Sequence, residues 1–294
     1  MSAIAARLAT AGSTVNRRLM GRLVATGRIP RLGFQHYFIE SEGLHSRVHL
    51  QNFYSTFWAD LDVPATADIQ IFAGDGRALG RIERRLAPFG GLFLEVREIL
   101  AEVGASVTEG SVTIDLQPPR QVLADLAASS IPEPWSLRIS TPFWMAYYDD
   151  EENYMYVHSI DRFAGAFRGV PRPVARVMSR RFSATGPSWR SGRVIDIEGL
   201  MDLQVVAINH SARARTAWLG IHDAVGDRPV WRTELSFAPH QLHRVRPDVE
   251  AIARELNALG GSQVRIGVDP LPTPNGKPYV LMRYGAGPLS LHHG

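Results

Sequence analysis

The second half of this 294-residue chain repeats, in order, the marker residues of the first. Asn52 closes an apolar strand (Val48-His49-Leu50-Gln51-Asn52), and Asn209 closes another (Val206-Ala207-Ile208-Asn209). Pro88 then matches Pro239, and each precedes a Val-Arg pair, Val96-Arg97 and Val245-Arg246. An alternating strand follows in both halves, with Val112, Ile114 and Leu116 against Val264, Ile266 and Val268. Pro142-Phe143-Trp144-Met145 matches Pro278-Tyr279-Val280-Leu281, which sets Tyr148 beside Tyr284 and His158 beside His292. The Asn-to-Pro spacing is 36 residues in one copy and 30 in the other, and Pro142–His158 and Pro278–His292 span 16 and 14. Both differences are even, as required when turns change length and each strand keeps its face. A repeat this long means two copies of one domain.

Each copy reads as β. Ala67-Asp68-Ile69-Gln70-Ile71 alternates strictly, the pattern of a strand with one buried face. Asp75-Gly76 follows as a hairpin turn, and Asp223–Arg228 forms a longer turn in the same place of the second copy. Asp149–Asn153 makes an acidic turn between aromatic strands, with Gly285–Pro288 as its shorter equivalent. One short helix is expected per copy, over Glu98–Val103 and over Asp248–Leu256, where Pro247-Asp248 is a start signal. The expected fold is mainly β: a tandem duplication of an antiparallel β-sandwich of immunoglobulin-like architecture. Its parts are a basic amphipathic segment 1–35, probed as a helix by the stripe Leu8, Val15, Leu19 and Leu23, copy 1 over 36–160, an Arg-rich linker 161–194, and copy 2 over 195–294. Asp227-Arg228-Pro229-Val230, Pro239-His240 and His243-Arg244-Val245-Arg246 resemble the corresponding strands of sensory rhodopsin transducer proteins. That resemblance implies a β-sandwich domain that forms oligomers, and no function is carried across it.

Charge is partitioned. Residues 1–35 hold six arginines and no acid, and residues 161–193 hold eight arginines against Asp161 alone. These segments carry +6 and +7 of an overall +3, which leaves −10 on the rest. Arg17, Arg18, Arg22, Arg172, Arg176 and Arg180 are the candidate anion-binding residues, for an anionic membrane surface or nucleic acid, unless the segments dock on the acidic domains. The chain has no cysteine, which excludes disulfides and thiolate metal sites and suits a reducing compartment. No run of about 18 apolar residues is present to span a bilayer. A cytoplasmic protein is expected, peripheral to the membrane if the basic segments bind lipid.

Enzyme signatures are missing: there is no HExxH, GxxxxGK[ST], GxSxG or strand-linked GxGxxG. Asp60-Leu61-Asp62 has the form of a metal-sugar-nucleotide site but is expected to be a strand's solvent face. The four acids of Asp149–Glu152 are expected to form a solvated tip. In Met155-Tyr156-Val157-His158 and Leu289-Ser290-Leu291-His292 the aliphatics alternate inward, which turns Tyr156, His158 and His292 the other way. The ligand-binding candidates are therefore Trp144, Tyr148, His158, Tyr284 and His292, whose rings suit sugar stacking; most tryptophans are assigned to the cores. Asn52 and Asn209 are expected to hydrogen-bond the turns that follow them. The favoured function is a non-catalytic binding or scaffold protein, oligomeric or with a protein partner, with carbohydrate among its possible ligands and with no cofactor or metal. The alternative is an enzyme acting on a glycan through His158 or His292 beside nearby carboxylates.

Overall fold

A computed structural model describes residues 32–41, 43–57, 62–122, 140–141, 143–158, 193–209, 213–269 and 278–293. The first sandwich comprises β1 (Leu32–Ile39), β2 (Leu44–Gln51), α1 (Phe53–Phe57), β3 (Ala65–Ala73), β4 (Ala78–Leu86), β5 (Gly91–Glu95), α2 (Val96–Glu102), β6 (Glu109–Gln117), β7 (Ser140–Thr141), β8 (Trp144–Asp149) and β9 (Tyr154–His158). The second comprises β10 (Val194–Asp196), β11 (Leu200–Ile208), β12 (Arg215–Asp223), β13 (Pro229–Phe237), β14 (Leu242–Val245), α3 (Val249–Ala258), β15 (Gln263–Asp269), β16 (Tyr279–Tyr284) and β17 (Ser290–His293). The sheet orders are β4-β3-β6-β1-β7 with β5-β2-β8-β9, and β13-β12-β15-β10 with β14-β11-β16-β17. Apart from the two-residue parallel β7, the two halves therefore have one topology, and the tandem β-sandwich is what the chain folds into.

The repeated residues hold equivalent joints. Asn52 and Asn209 are fully buried. The Asn52 side-chain amide donates to the Val63 and Ala87 carbonyls at 2.9 and 3.1 Å, and that of Asn209 to Arg213 and Ala238 at 2.7 and 2.8 Å. Each thus bonds two loop carbonyls that have no strand partner. The turns they bond to also match: Pro88-Phe89 and Pro239-His240 put a non-glycine residue at positive φ, 55° and 59°, after a proline suited to start a turn. Asp248 caps α3, its side chain accepting from the Ala251 amide at 3.1 Å.

Strand registers correct the sequence alignment at five residues. Pairing of His49 with Trp144 and of Val206 with Tyr279 makes Trp144 the counterpart of Tyr279, one residue from the expected match. His158 lies opposite Trp144 and His293 opposite Tyr279, so the counterpart of His158 is His293 and not His292. Tyr148 likewise corresponds to Arg283 and not Tyr284. Val112 corresponds to Ile266, and Glu95 to Arg246, each two residues from the expected partner, a slip that preserves the face. Finally, β1 begins at Leu32, inside the segment expected to be basic and helical, because the residues registered with the β6 core strand begin with Phe34 opposite Ile114. The rest of that segment, and Arg17, Arg18, Arg22, Arg172, Arg176 and Arg180, lie outside the described residues.

The two sandwiches are packed together. The first core cluster continues through Val206, Ile208, Leu242, Tyr279, Leu281 and Leu291 of the second half. All six lie on the outer face of β14-β11-β16-β17, the opposite side from Val205, Ala207, Val280 and Met282, which fill the second sandwich's own core. Tyr279 shares a hydrogen bond with His36 Nδ1 at 3.0 Å, and Leu291 N–H donates to Met155 Sδ at 2.8 Å. The Leu242 amide donates to the Gly74 carbonyl at 2.9 Å, and the His240 ring stacks on Phe72 with centroids 4.4 Å apart. Arg244 bridges to Glu109 at 2.6 Å and also bonds the Tyr37 hydroxyl, so the one charge pair among these contacts is satisfied on both sides. The approach is close enough to require a glycine: a Cβ on Gly76, at φ 89°, would meet the Pro239 carbonyl oxygen at 2.1 Å.

Candidate functional site: an aromatic sheet face

The counterpart of that buried face is the outer face of β5-β2-β8-β9, and in the first sandwich it is open. Alternation along β2 sends Leu44, Ser46, Val48 and Leu50 inward and His45, Arg47 and His49 outward. The pairing registers then lay out three rows across the sheet. The first runs Phe93, His49, Trp144 and the backbone of His158; the second Glu95, Arg47, Ala146 and Tyr156; the third His45, Tyr148 and Tyr154. Neighbouring strands are about 4.8 Å apart, so each row is a compact strip. Phe93 is 64% exposed, and Trp144 and Tyr156 are each 56% exposed.

The rings support one another. Tyr154 stacks between Tyr148 and Tyr156, at 5.2 and 6.2 Å with interplanar angles of 27° and 17°. The His49 ring packs nearly perpendicular to Phe93 and to Tyr156, with centroids 4.7 and 5.5 Å away. Its Nε2 is buried with no hydrogen-bond partner among the described residues, and burial, with Arg47 adding to it, holds its pKa below the usual value. His49 is therefore part of the platform's apolar body.

The charges on this face are tied to each other. Arg47 pairs with Glu95 and lies over the Tyr148 and Tyr154 rings, 5.0 and 5.7 Å from their centroids. Tyr148, nearly buried, donates its hydroxyl to the other Glu95 oxygen; burial and that bond push its pKa up to about 12. At one end His45 bridges Glu40 at 3.1 Å and Asp150 at 3.2 Å, joining the β1–β2 turn to the β8–β9 hairpin that carries Tyr154 and Tyr156.

Burial lowers the His45 pKa, but the bonds to Glu40 and Asp150 outweigh it and hold the imidazolium above its usual range. A raised folded-state pKa contributes stability that is full below the unfolded value and is lost as pH rises through the folded one. Urea midpoints of the wild type are expected to fall between slightly acidic and alkaline pH, and His45→Gln is expected to remove that part of the fall. An unchanged pH dependence in the variant would show that the bridge contributes nothing.

Of the residues singled out by sequence, Trp144 and Tyr148 share this face, and His158 lies in register with Trp144. Tyr284 and His292 belong to the other sandwich, where Tyr284 bonds the Asp196 carbonyl at 2.7 Å and His292 Nδ1 sits 2.9 Å from Arg193. Leu291, expected inward, lies on the outer face of its own sheet, under the first sandwich. Of the six tryptophans, Trp144 and Trp218 are exposed, Trp231 is partly buried against the second core, and Trp58, Trp135 and Trp189 lie outside the described residues. Sequence reasoning missed Phe93 and Tyr154 on the face, although the alternation of Leu92, Phe93 and Leu94 in a strand register would have found the first. Asp62 is exposed, and Asp60 and Leu61 lie outside the described residues. The tip acid Asp149 accepts from the Glu151 and Asn153 amides and from the Asn153 side chain; those bonds, that of the side chain foremost, lower its pKa.

Fold and face together define, among the described residues, a two-sandwich protein with an aromatic sheet surface. The chain matches no protein-family model. It matches no curated protein either. A solved β-glucuronidase from glycoside hydrolase family 2 aligns at 10% identity over 88% of this chain and 22% of that protein, with a TM-score of 0.14, which carries no argument about fold or function. The likeness over Asp227–Arg246 accordingly remains one of strands and turns. Among the described residues no helix is long and apolar enough to cross a membrane.

Proposed function

We propose that this chain is a non-catalytic binding protein in which the second sandwich is fastened to the first and the first presents its β5-β2-β8-β9 face to a ligand. One observation carries the reading. The same face of the same fold is buried as a joint in one copy, and in the other it is open and lined with Phe93, Trp144, Tyr154 and Tyr156. Exposed large apolar side chains gathered on one face mark a contact surface, whereas scattered ones do not. The ionisable groups there support binding over chemistry, since Glu95 is engaged by Arg47 and Tyr148 and His45 by Glu40 and Asp150.

The test uses the full chain and four probes: neutral polysaccharide, anionic polysaccharide, phosphatidylserine vesicles and double-stranded oligonucleotide. At least one is expected to be held by the wild type, recovered chemically unchanged, and lost on Trp144→Ala/Tyr156→Ala. Binding of none, binding that the double variant leaves intact, or conversion of a bound probe would overturn the reading.

A further inference from the structure

We infer that the ligand of this face is a neutral polysaccharide whose sugar rings lie flat on Phe93, Trp144 and Tyr156. The inference rests on the binding reading above and names the ligand class for that surface.

The chain contains its own control for what a protein-docking version of this face looks like. Taking counterparts by register, Val206 in the joint is His49 on the open face, Leu242 is Gly91, Leu281 is Ala146, Leu291 is Tyr156 and Tyr279 is Trp144. Where this sheet packs against protein, four of these five positions are branched aliphatics, which interdigitate with other side chains. On the open face, aliphatic positions are replaced by rings and by small residues beneath them. Ala146 is fully covered, and of the rings around it Tyr148 is buried while Trp144 and Tyr156 form the surface.

Flat rings with small residues between them suit a flat ligand. An aromatic face carries the negative part of its quadrupole, and the C–H bonds on one side of a pyranose ring present the matching positive edge over a broad apolar patch. The tyrosines Tyr148, Tyr154 and Tyr156 stack on one another with planes 17–27° from parallel, so each ring is braced by the next and Tyr156 is held at the end of the series. Tyrosine hydroxyls at the ring margins also place polar groups where a sugar's own hydroxyls lie. Trp144 and Phe93 occupy the same row, on either side of His49, and extend the platform across the β5 side.

Charge decides between neutral and anionic ligands. The central cation of this face, Arg47, is held by Glu95 and covered by two rings, and Glu95 in turn takes the Tyr148 hydroxyl. The His49 ring is enclosed by Phe93 and Tyr156. A phosphate or carboxylate polymer gains its affinity from cations that release counterions, and this face offers an internally compensated pair instead.

The experiment is affinity electrophoresis of the full chain through gels containing hydroxyethylcellulose, xylan or galactomannan, with polygalacturonate as the anionic comparison. At least one neutral polymer is expected to retard the wild type, with little change as salt is raised. Trp144→Ala and Tyr156→Ala are each expected to weaken that binding about tenfold or more, the order of magnitude for loss of one stacked ring. Leu289→Ala, on the β16–β17 connection of the second sandwich, is expected to leave it unchanged. Retardation by no neutral polymer, or retardation that both ring variants leave intact, would overturn the inference. Binding of vesicles or polygalacturonate through Trp144 and Tyr156, with steep salt dependence, would overturn it while leaving the binding reading in place.

Discussion

Leu291→Asp is expected to destabilise the protein by about 3–5 kcal/mol, because it places a carboxylate without a partner in a buried site. Tyr156→Asp, at the equivalent position of the first sandwich, is expected to cost no more than about 1 kcal/mol, the scale of a strand substitution on an exposed face. Both residues occupy the same place in the same fold, each opposite the central residue of its sheet, Leu281 and Ala146 respectively. Leu291 is 1% exposed because the first sandwich covers it. The difference between the two variants therefore measures the joint and not the strand. Urea unfolding checks both, and equal losses would mean that the second sandwich's face is as open as the first's.

The buried asparagines should produce the second large effect. Asn52→Ala and Asn209→Ala each remove two hydrogen bonds to loop carbonyls at a fully buried site, worth about 0.5–1.5 kcal/mol apiece, and leave a small cavity where the amide stood. Destabilisation of about 2–4 kcal/mol is expected for either variant. Asn→Asp should not rescue, because an ionised carboxylate has the same shape and no N–H to donate. Full stability in the Asp variants would show that the amides do not carry these loops.

The repeat that revealed the fold in the sequence is anchored by these same asparagines and by the Pro88 and Pro239 turns, whose neighbours Phe89 and His240 share one backbone conformation. Those positions are dictated locally, by a buried amide and a proline-led turn, and local rules can be read without a structure. Strand offsets are set by pairing across the sheet, which a linear alignment does not record. The two-residue slips at Val112 and Glu95 did no harm, because side chains alternate with a period of two. One-residue slips change the outcome: one at Trp144 joins Tyr148 to Tyr284, and another of opposite sign on the next strand joins His158 to His292, pairs that the sheets do not equate. The open face was legible only in part. Trp144 and Tyr156 stand out in sequence as large rings in alternating strands, but nothing in the sequence says that Tyr279 and Leu291 are covered. That depends on the packing of one sandwich on the other, through contacts such as Arg244 with Glu109 and His240 with Phe72.

Hydroxyl-radical footprinting of the full chain, read by mass spectrometry with and without the bound neutral polysaccharide, tests the central claim most directly. In the free protein Phe93, Trp144 and Tyr156 are expected to label strongly and Tyr279 and Leu291 only at background, with ligand suppressing labelling of the first three alone. Strong labelling of Tyr279 and Leu291 in the free protein, or ligand protection that spares Trp144 and Tyr156, would contradict it.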